Sequence, residues 1–409
     1  MRLEVDEGFV VATGIECSAP MIACGVRQDE LRKTGHWERF DEDLAAVASF
    51  GIRYLRYGVP FHVVAKHDDS RRFDWQWIDR SMGALQAHGI EPILDLLHFG
   101  LPDDIRAVGD PRLPGRYEAY AAAVAERYPW VRYYTPVNEP FITAWLSAMR
   151  GLWNERRRDD VAFVAALDNV VTCVILGMRR ISERRPDAIF VQSDACESYR
   201  ALDPGAEEQA SFLTERGYVA YDLTYGRRPS QLILHWLHDN GMSDERLAWF
   251  AEHGTSERCI IGHDYYRGNE RLIDDRGRFR RAGPQRRGFQ ALALDFHARY
   301  DLPFMLCETN IAGTHAPGWL AEVWNDALDL KDRGLPIRGF CWYGFVDHVD
   351  WDTLLTRNRG KVNTCGLVGQ DRRPHAVGQL YRQLATAALD GRYPRLGRRS
   401  PSGAVSLVQ

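Results

Sequence analysis

The stretch YYTPVNEP, residues 133–140, carries an aromatic and β-branched run into an amide and a carboxylate, Asn138 and Glu139. A second run, FMLCETN (304–310), leads into Glu308. Turns that follow buried strands favour Gly, Ser, Thr, Asp or Asn as caps for the next helix. That rule accounts for Asp194 and Asp347 but not for Arg56, His98, Glu139 and Glu308, which are long or titratable groups at the ends of apolar runs. Two carboxyl groups facing across a sugar-sized gap are the machinery of glycosidic bond cleavage. One protonates the leaving oxygen, and the other attacks the anomeric carbon or activates water. At about 5–5.5 Å separation the second is a nucleophile and configuration is retained. One of the pair must be neutral and the other ionised near neutral pH. A cation and a phenol, Arg56 and Tyr266, suit Glu308 as the ionised member, and Asn138 suits a sugar hydroxyl beside the reaction centre.

Glu139 and Glu308 are far apart in sequence, so only the fold can bring them together. Eight short apolar runs are candidate strands: 9–16, 53–60, 92–99, 132–139, 189–195, 259–266, 304–310 and 337–345. Near-continuous apolar runs of this length fit parallel strands buried on both faces. Helical patterns fall between them, at 40–51, 75–89, 117–128, 160–185, 319–334 and 376–389. Eight alternating units predict a single (β/α)₈ barrel over residues 1–390, with enlarged loops after strands five (196–258) and eight (346–375) and a poorly ordered tail at 391–409. In such barrels the chemistry sits at the C-terminal ends of the strands. The ends here carry Glu16, Arg56, His98, Asn138, Glu139, Asp194, Asp264, Tyr266, Glu308 and Asp347.

Composition narrows the alternatives. The 409 residues carry a net charge of −4, which gives no electrostatic case for nucleic acid or an anionic membrane. No strand is followed by a Gly-rich phosphate loop, so nucleotide binding lacks support. The eight cysteines form no close pair, and buried free thiols are expected rather than disulfides. The first residues are acidic and no stretch of about 18 apolar residues is apparent, so a cytoplasmic protein without signal or span is expected. The cysteines and histidines make no zinc pattern. His36, His62, His67 and His348 read as loop or surface histidines, and WQW (75–77) as a packing cluster.

TPVNEP (135–140) resembles the Thr-x-Asn-Glu-Pro motif of glycoside hydrolase family 1, and LCETN (306–310) resembles that family's second Glu motif. EPILDLLHFGLP (91–102), GIRYLRYGVP (51–60), GHDYYRGNE (262–270) and GFCWYGFVDHVDWD (339–352) are similar to further family segments, in family order. The resemblance implies a retaining β-glycosidase without metal or organic cofactor, acting on a small-molecule glycoside or oligosaccharide. Glu139 would be the acid/base and Glu308 the nucleophile. Asn138 would touch the sugar, Arg56 and Tyr266 would flank the nucleophile, and His98, Trp342, Asp350 and Trp351 would hold the sugar.

Several positions depart from the family pattern. Phe99 stands for a Trp, Asp264 for an Asn and Asp350 for a sugar-clamping Glu; Trp342 lies one residue further from Asp347, and Glu16 is the nearest counterpart of a sugar-gripping Gln. The glycone pocket is therefore expected to be rebuilt. An amino, deoxy or otherwise modified sugar is the expectation, with Glu16, Asp264 and Asp350 as acidic partners. A transglycosylase and a non-catalytic carbohydrate-binding protein are the alternatives.

Overall fold

Each of the eight apolar runs forms a strand of one closed parallel barrel in the computed structural model, which describes residues 8–65, 72–397, 405 and 407–408. The strands are β1 (Val10–Gly14), β2 (Tyr54–Gly58), β3 (Glu91–Asp95), β4 (Tyr133–Thr135), β5 (Ile189–Ala195), β6 (Cys259–Asp264), β7 (Phe304–Glu308) and β8 (Ile337–Tyr343). Neighbours in sequence are neighbours in the barrel, and β1 closes the ring on β8 through Val10↔Gly339 to Gly14↔Tyr343. His67, expected to be a loop or surface histidine, lies outside the described residues.

The strands' two-residue side-chain period sorts inside from outside. Ala12, Ile93, Tyr133, Ile189, Val191, Ile260, Met305, Cys307, Cys341 and Tyr343 form a cluster that fills the barrel interior. The next polar residues of the same parity, Arg56 two places after Tyr54, Asp95 two after Ile93 and Asp264 four after Ile260, form a polar layer on top of that plug. On β7 the alternation breaks. Cys307 already faces inward, and the register shifts between Leu306 and Glu308 against β6, so that Glu308 pairs with Asp264, and between Phe304 and Leu306 against β8. A bulge of this kind re-aims a side chain. Gly14 serves a close approach: a Cβ there would lie 2.2 Å from the Tyr343 ring.

Helices follow the strands as the patterns suggest, over His36–Ser49, Gln76–Ala87, Leu113–Arg127, Asp160–Arg184, Ala316–Asp332 and Ala376–Leu389. One further helix, Phe289–Tyr300, lies between β6 and β7 and has no counterpart in the sequence reading. Its apolar residues Phe289, Leu292, Ala293, Phe296 and Tyr300 have helical spacing and are buried, but the Arg-rich stretch before it masks the start of the pattern. The loop after β5 holds four helices between Glu207 and His253. It also holds a strand, Ser198–Ala201, that joins Glu270–Ile273 and Phe279–Arg281 in a small sheet. After β8, His348–Val349 pairs antiparallel with Val362–Asn363.

Two expectations change. Asp160–Arg184 is apolar and long enough, by length and composition, to cross a membrane. It packs instead as a core helix against Leu113–Arg127, with Phe163, Leu167, Val170 and Val174 fully buried. The segment from residue 391, expected to be poorly ordered, is docked at its start: Tyr393 Oη donates to the Phe9 carbonyl at 2.8 Å, Trp324 Nε1 donates to the Pro394 carbonyl at 2.9 Å, and Leu396 is buried.

Candidate active site

The polar layer converges on Arg56. This fully buried guanidinium donates through Nη1 to Glu308 Oε1, and through Nη2 to Asp95 Oδ2 at 3.0 Å and Asn138 Oδ1 at 2.6 Å. It lies over the Tyr343 ring, 5.1 Å from the centroid. Tyr266 Oη donates to the other Glu308 oxygen, Oε2, at 2.7 Å. Both oxygens of Glu308 thus accept hydrogen bonds, one from a guanidinium and one from a phenol.

His98 completes the second row. Its Nδ1 pairs with Asp95 Oδ2 at 2.8 Å, and its Nε2 with the Asn138 amide nitrogen at 3.1 Å. Asn138 Oδ1 is already the acceptor for Arg56, so its amide nitrogen faces His98 Nε2. The imidazole stacks on Tyr343 at 6.1 Å and 8°. One Asn138 N–H remains for another partner.

Glu139 is built differently. It sits directly before the helix Pro140–Ala144, with a left-handed backbone at φ +43° and ψ 66°. For a residue other than Gly that conformation costs on the order of 1–2 kcal/mol. The neighbours hold it there. The Glu139 N–H donates to the Ser193 carbonyl at 2.9 Å, and Asp194 Oδ2 accepts from the Phe141 N–H at 2.8 Å. The side chain is partly exposed. Desolvation in the cleft, followed by the charges of Asp264, Glu308 and Asp194, pushes its carboxyl well above the usual carboxylate range. Asp264 is fully buried, and both of its oxygens lie 2.7 Å from Ser193 Oγ. Burial and the nearby Glu308 raise its carboxyl too.

Among the remaining candidates, Glu16 is buried 3.8 Å from His98 and 3.8 Å from His348. Burial raises its carboxyl, but His348, His98 and Ser18 outweigh this and leave it below the usual range. Trp351 is half-buried, edge-on to Trp153 at 6.2 Å. Trp342 is not in the site. Cys341 and Tyr343 face the interior, so Trp342 faces outward, fully buried, and donates through Nε1 to the Cys365 carbonyl at 2.9 Å. Asp350 is nearby but occupied. Its oxygens accept from Lys33 Nζ at 3.0 Å and from the backbone N–H groups of Arg359, Gly360 and Lys361 at 3.0–3.1 Å.

Sequence reasoning missed Asp95, Ser193 and Tyr343. Each lies on an interior-facing parity of its strand, which was the available signal. His36, His62 and His348 are buried rather than superficial, and His36 bonds Asp43 at 2.8 Å and Tyr57 at 3.0 Å. Cys17, Asp95 and His98 bring potential metal-ligand atoms within 4.8 Å of one another. However, His98 and Asp95 Oδ2 are already committed to Asn138 and Arg56, and the guanidinium at this position opposes a second cation.

Residues 28–209 match the model of glycosyl hydrolase family 1. The resemblance to that family holds. Thermostable beta-glucosidase B of Thermobispora bispora is 29% identical over 122 residues, an alignment that covers 28% of this chain and about a quarter (26%) of the relative's length. A beta-glucosidase from Thermotoga maritima in complex with methoxycarbonyl-substituted glucoimidazole superposes with a TM-score of 0.78 at 15% identity, covering 93% of this chain and 98% of that one. Its castanospermine complex gives 0.79 at 14% identity, covering 93% and 98%. At these identities the structural likeness establishes the fold, a (β/α)₈ barrel, and the arrangement of the site follows from this chain's own residues.

Proposed function

We propose that the protein is a retaining β-glycosidase in which Glu308 is the nucleophile and Glu139 the acid/base. One observation carries the reading. Of two carboxyl groups at the same rim, Glu308 is held between Arg56 and Tyr266, while Glu139 is pushed toward its neutral form. That division gives an anion to attack the anomeric carbon and a proton for the leaving oxygen. Glu308 forms a glycosyl ester as the C–O bond to the aglycone breaks, and Glu139 delivers its proton to the departing oxygen. Glu139, now a carboxylate, takes a proton from water, which cleaves the ester and restores both groups. Asn138 offers its free N–H to a sugar hydroxyl, with Arg56 and His98 fixing the amide.

A modified sugar remains part of the reading, in a neutral form. An amino sugar loses two of its three expected acidic partners, because Asp350 faces Lys33 and three backbone N–H groups and Asp264 is held by Ser193. A cytoplasmic setting belongs to the same proposal, supported by seven buried free cysteines among the described residues. The similarity to beta-glucosidases favours a β-linked hexoside.

The test is a panel of aryl β-glycosides. Glu308→Ala should abolish release with the fold intact, and unchanged turnover would sink the assignment. Glu139→Ala should spare substrates with good leaving groups and cripple poor ones, because a good leaving group needs no proton. Equal losses on both would remove Glu139 from the acid role.

A further inference from the structure

Arg216 lies in the last turn of the helix Glu207–Gly217, in the loop after β5, and is half-buried. Its guanidinium sits over three rings, 5.6 Å from the centroid of Phe212, 5.8 Å from Phe141 and 5.9 Å from Phe163. Among the described residues none of its nitrogens has a hydrogen-bond partner. Nε is sealed from solvent but the two Nη nitrogens are not, so the fork is open to a ligand. Arg246 and Arg299 each lie over two rings as well, yet each also meets a carboxylate: Asp168 at 2.5 Å and Asp222 at 2.6 Å. The acids that act on Arg216 are engaged elsewhere. Glu197 accepts from the Tyr199 hydroxyl at 2.8 Å and lies 3.7 Å from Arg271, and Asp160 accepts from Trp236 Nε1 at 3.2 Å.

The place is the leaving-group side of the site. Phe141 stands two residues after Glu139, and Asp194 holds its N–H. In the barrel β4 lies between β3 and β5. Glu16 and His98 follow β1 and β3, so the sugar takes that flank. Glu139 protonates the departing oxygen, and the aglycone leaves on the other flank, toward the loop after β5. The surface around Arg216 is apolar. Phe212 and Trp236 are half-buried with their rings 5.8 Å apart. Leu232, one turn before Trp236 on the helix Gln231–Asp239, is exposed, and so is Val161 beside Asp160. A charge withdrawn from water is normally paired. Ring faces attract a cation but offer no oxygen to its N–H groups. Burial lowers the proton affinity of Arg216, and Tyr199, Asp160 and Glu197 do not restore it. A two-oxygen anion fits the vacant fork. One guanidinium matches one negative charge, which favours a carboxylate over a phosphate carrying nearly two.

Resting on the glycosidase reading, we propose that Arg216 binds a carboxylate on the aglycone, so that the natural leaving group is an organic acid whose apolar body lies along Trp236 and Leu232. The three rings hold the guanidinium in place before the ligand arrives, and the carboxylate supplies the acceptor they lack. The same contact would select the leaving group by its charge, independently of the sugar.

The experiment uses phenyl β-glycosides that carry a carboxylate on alkyl tethers of increasing length, each beside its carboxamide of the same shape. The tether insulates the phenol, so the members of each pair leave equally well. In wild type the acid should exceed the amide in kcat/KM by about tenfold or more at the tether length that reaches Arg216, through a lower KM. That ratio should shrink in high salt. Arg216→Met, which keeps the stem among the rings, should bring the ratio close to one, and Arg216→Lys should keep part of it; melting curves check folding. A ratio near one at every tether length in wild type, or one that Arg216→Met leaves unchanged, overturns the proposal and leaves the guanidinium to the rings alone. Calorimetric binding of the matching inert thioglycosides reads the contact without turnover. Binding that needs both the carboxylate and Arg216, with no release from any glycoside, would sink the catalytic reading and keep the acid-binding subsite.

Discussion

Tyr266 donates its phenolic hydrogen to Glu308 Oε2 at 2.7 Å, across from the oxygen that Arg56 holds. Burial and the neighbouring carboxyls Glu308, Asp264 and Glu139 keep the phenol protonated far above its ordinary range, so it remains a donor at any working pH. A hydrogen bond to a charged group contributes about 1.5–3 kcal/mol. Tyr266→Phe should therefore cut kcat/KM about 10- to 100-fold with little change in folding, since the ring stays. Steady-state kinetics on one aryl glycoside checks this, and an unaltered rate would mean that Arg56 alone positions the nucleophile.

The pH dependence follows from Glu139. Its carboxyl must be protonated to act as the acid, and its proton affinity is raised. Activity should hold at neutral pH and fall as pH rises through that elevated value, giving the alkaline limb of kcat/KM. After burial, Asp264 is the first cause of the elevation. Asp264→Asn removes one of the crowded carboxyls and should move the alkaline limb to lower pH. A limb that stays in place in this variant would show that desolvation alone sets it.

Trp342 supplies a test of a residue that the sequence assigned to the sugar and the fold assigns to packing. Trp342→Phe should leave KM for the sugar unchanged and lower stability by about 1 kcal/mol for the lost bond to the Cys365 carbonyl, plus the packing of the indole. A raised KM with unaltered unfolding would return Trp342 to the pocket.

That misassignment marks the limit of what the chain discloses by itself. All eight strands were legible, because burial on both faces imposes unbroken apolar runs, and the titratable groups at their ends announced the rim. Arg56, Asn138, Glu308 and Tyr266 form one bonded network, and Glu139 lies beside it. What eluded the sequence depends on parity and on partners. Trp342 and Tyr343 differ only in which face they present, and one residue of register decides it. Asp350 looks free as a letter but is surrounded by Lys33 and three backbone N–H groups that only the folded loops supply. Glu30 sits in a polar stretch, QDELRK, that reads as surface, and is fully buried because the loop after β8 folds over it.

Glu30 also ties stability to pH. Its carboxyl is raised to about 8 in the folded protein, and Asp194 to about 7, burial being the first cause for each. Between the ordinary carboxylate value and these values the native state holds protons that the unfolded chain has released. The unfolded state binds fewer protons there, so stability falls as pH rises from about 5 to about 8. The direction is opposite to that of a carboxylate paired with a cation, whose contribution is lost on acidification. Glu30→Gln cannot ionise and keeps an oxygen for the Val349 N–H, so its urea midpoint should decline less across that interval, with the remaining slope assigned to Asp194 and its like. Urea titrations of both proteins at several pH values check this. Parallel curves would mean that Glu30 is already ionised in the fold, with Lys33 as its partner at 3.6 Å.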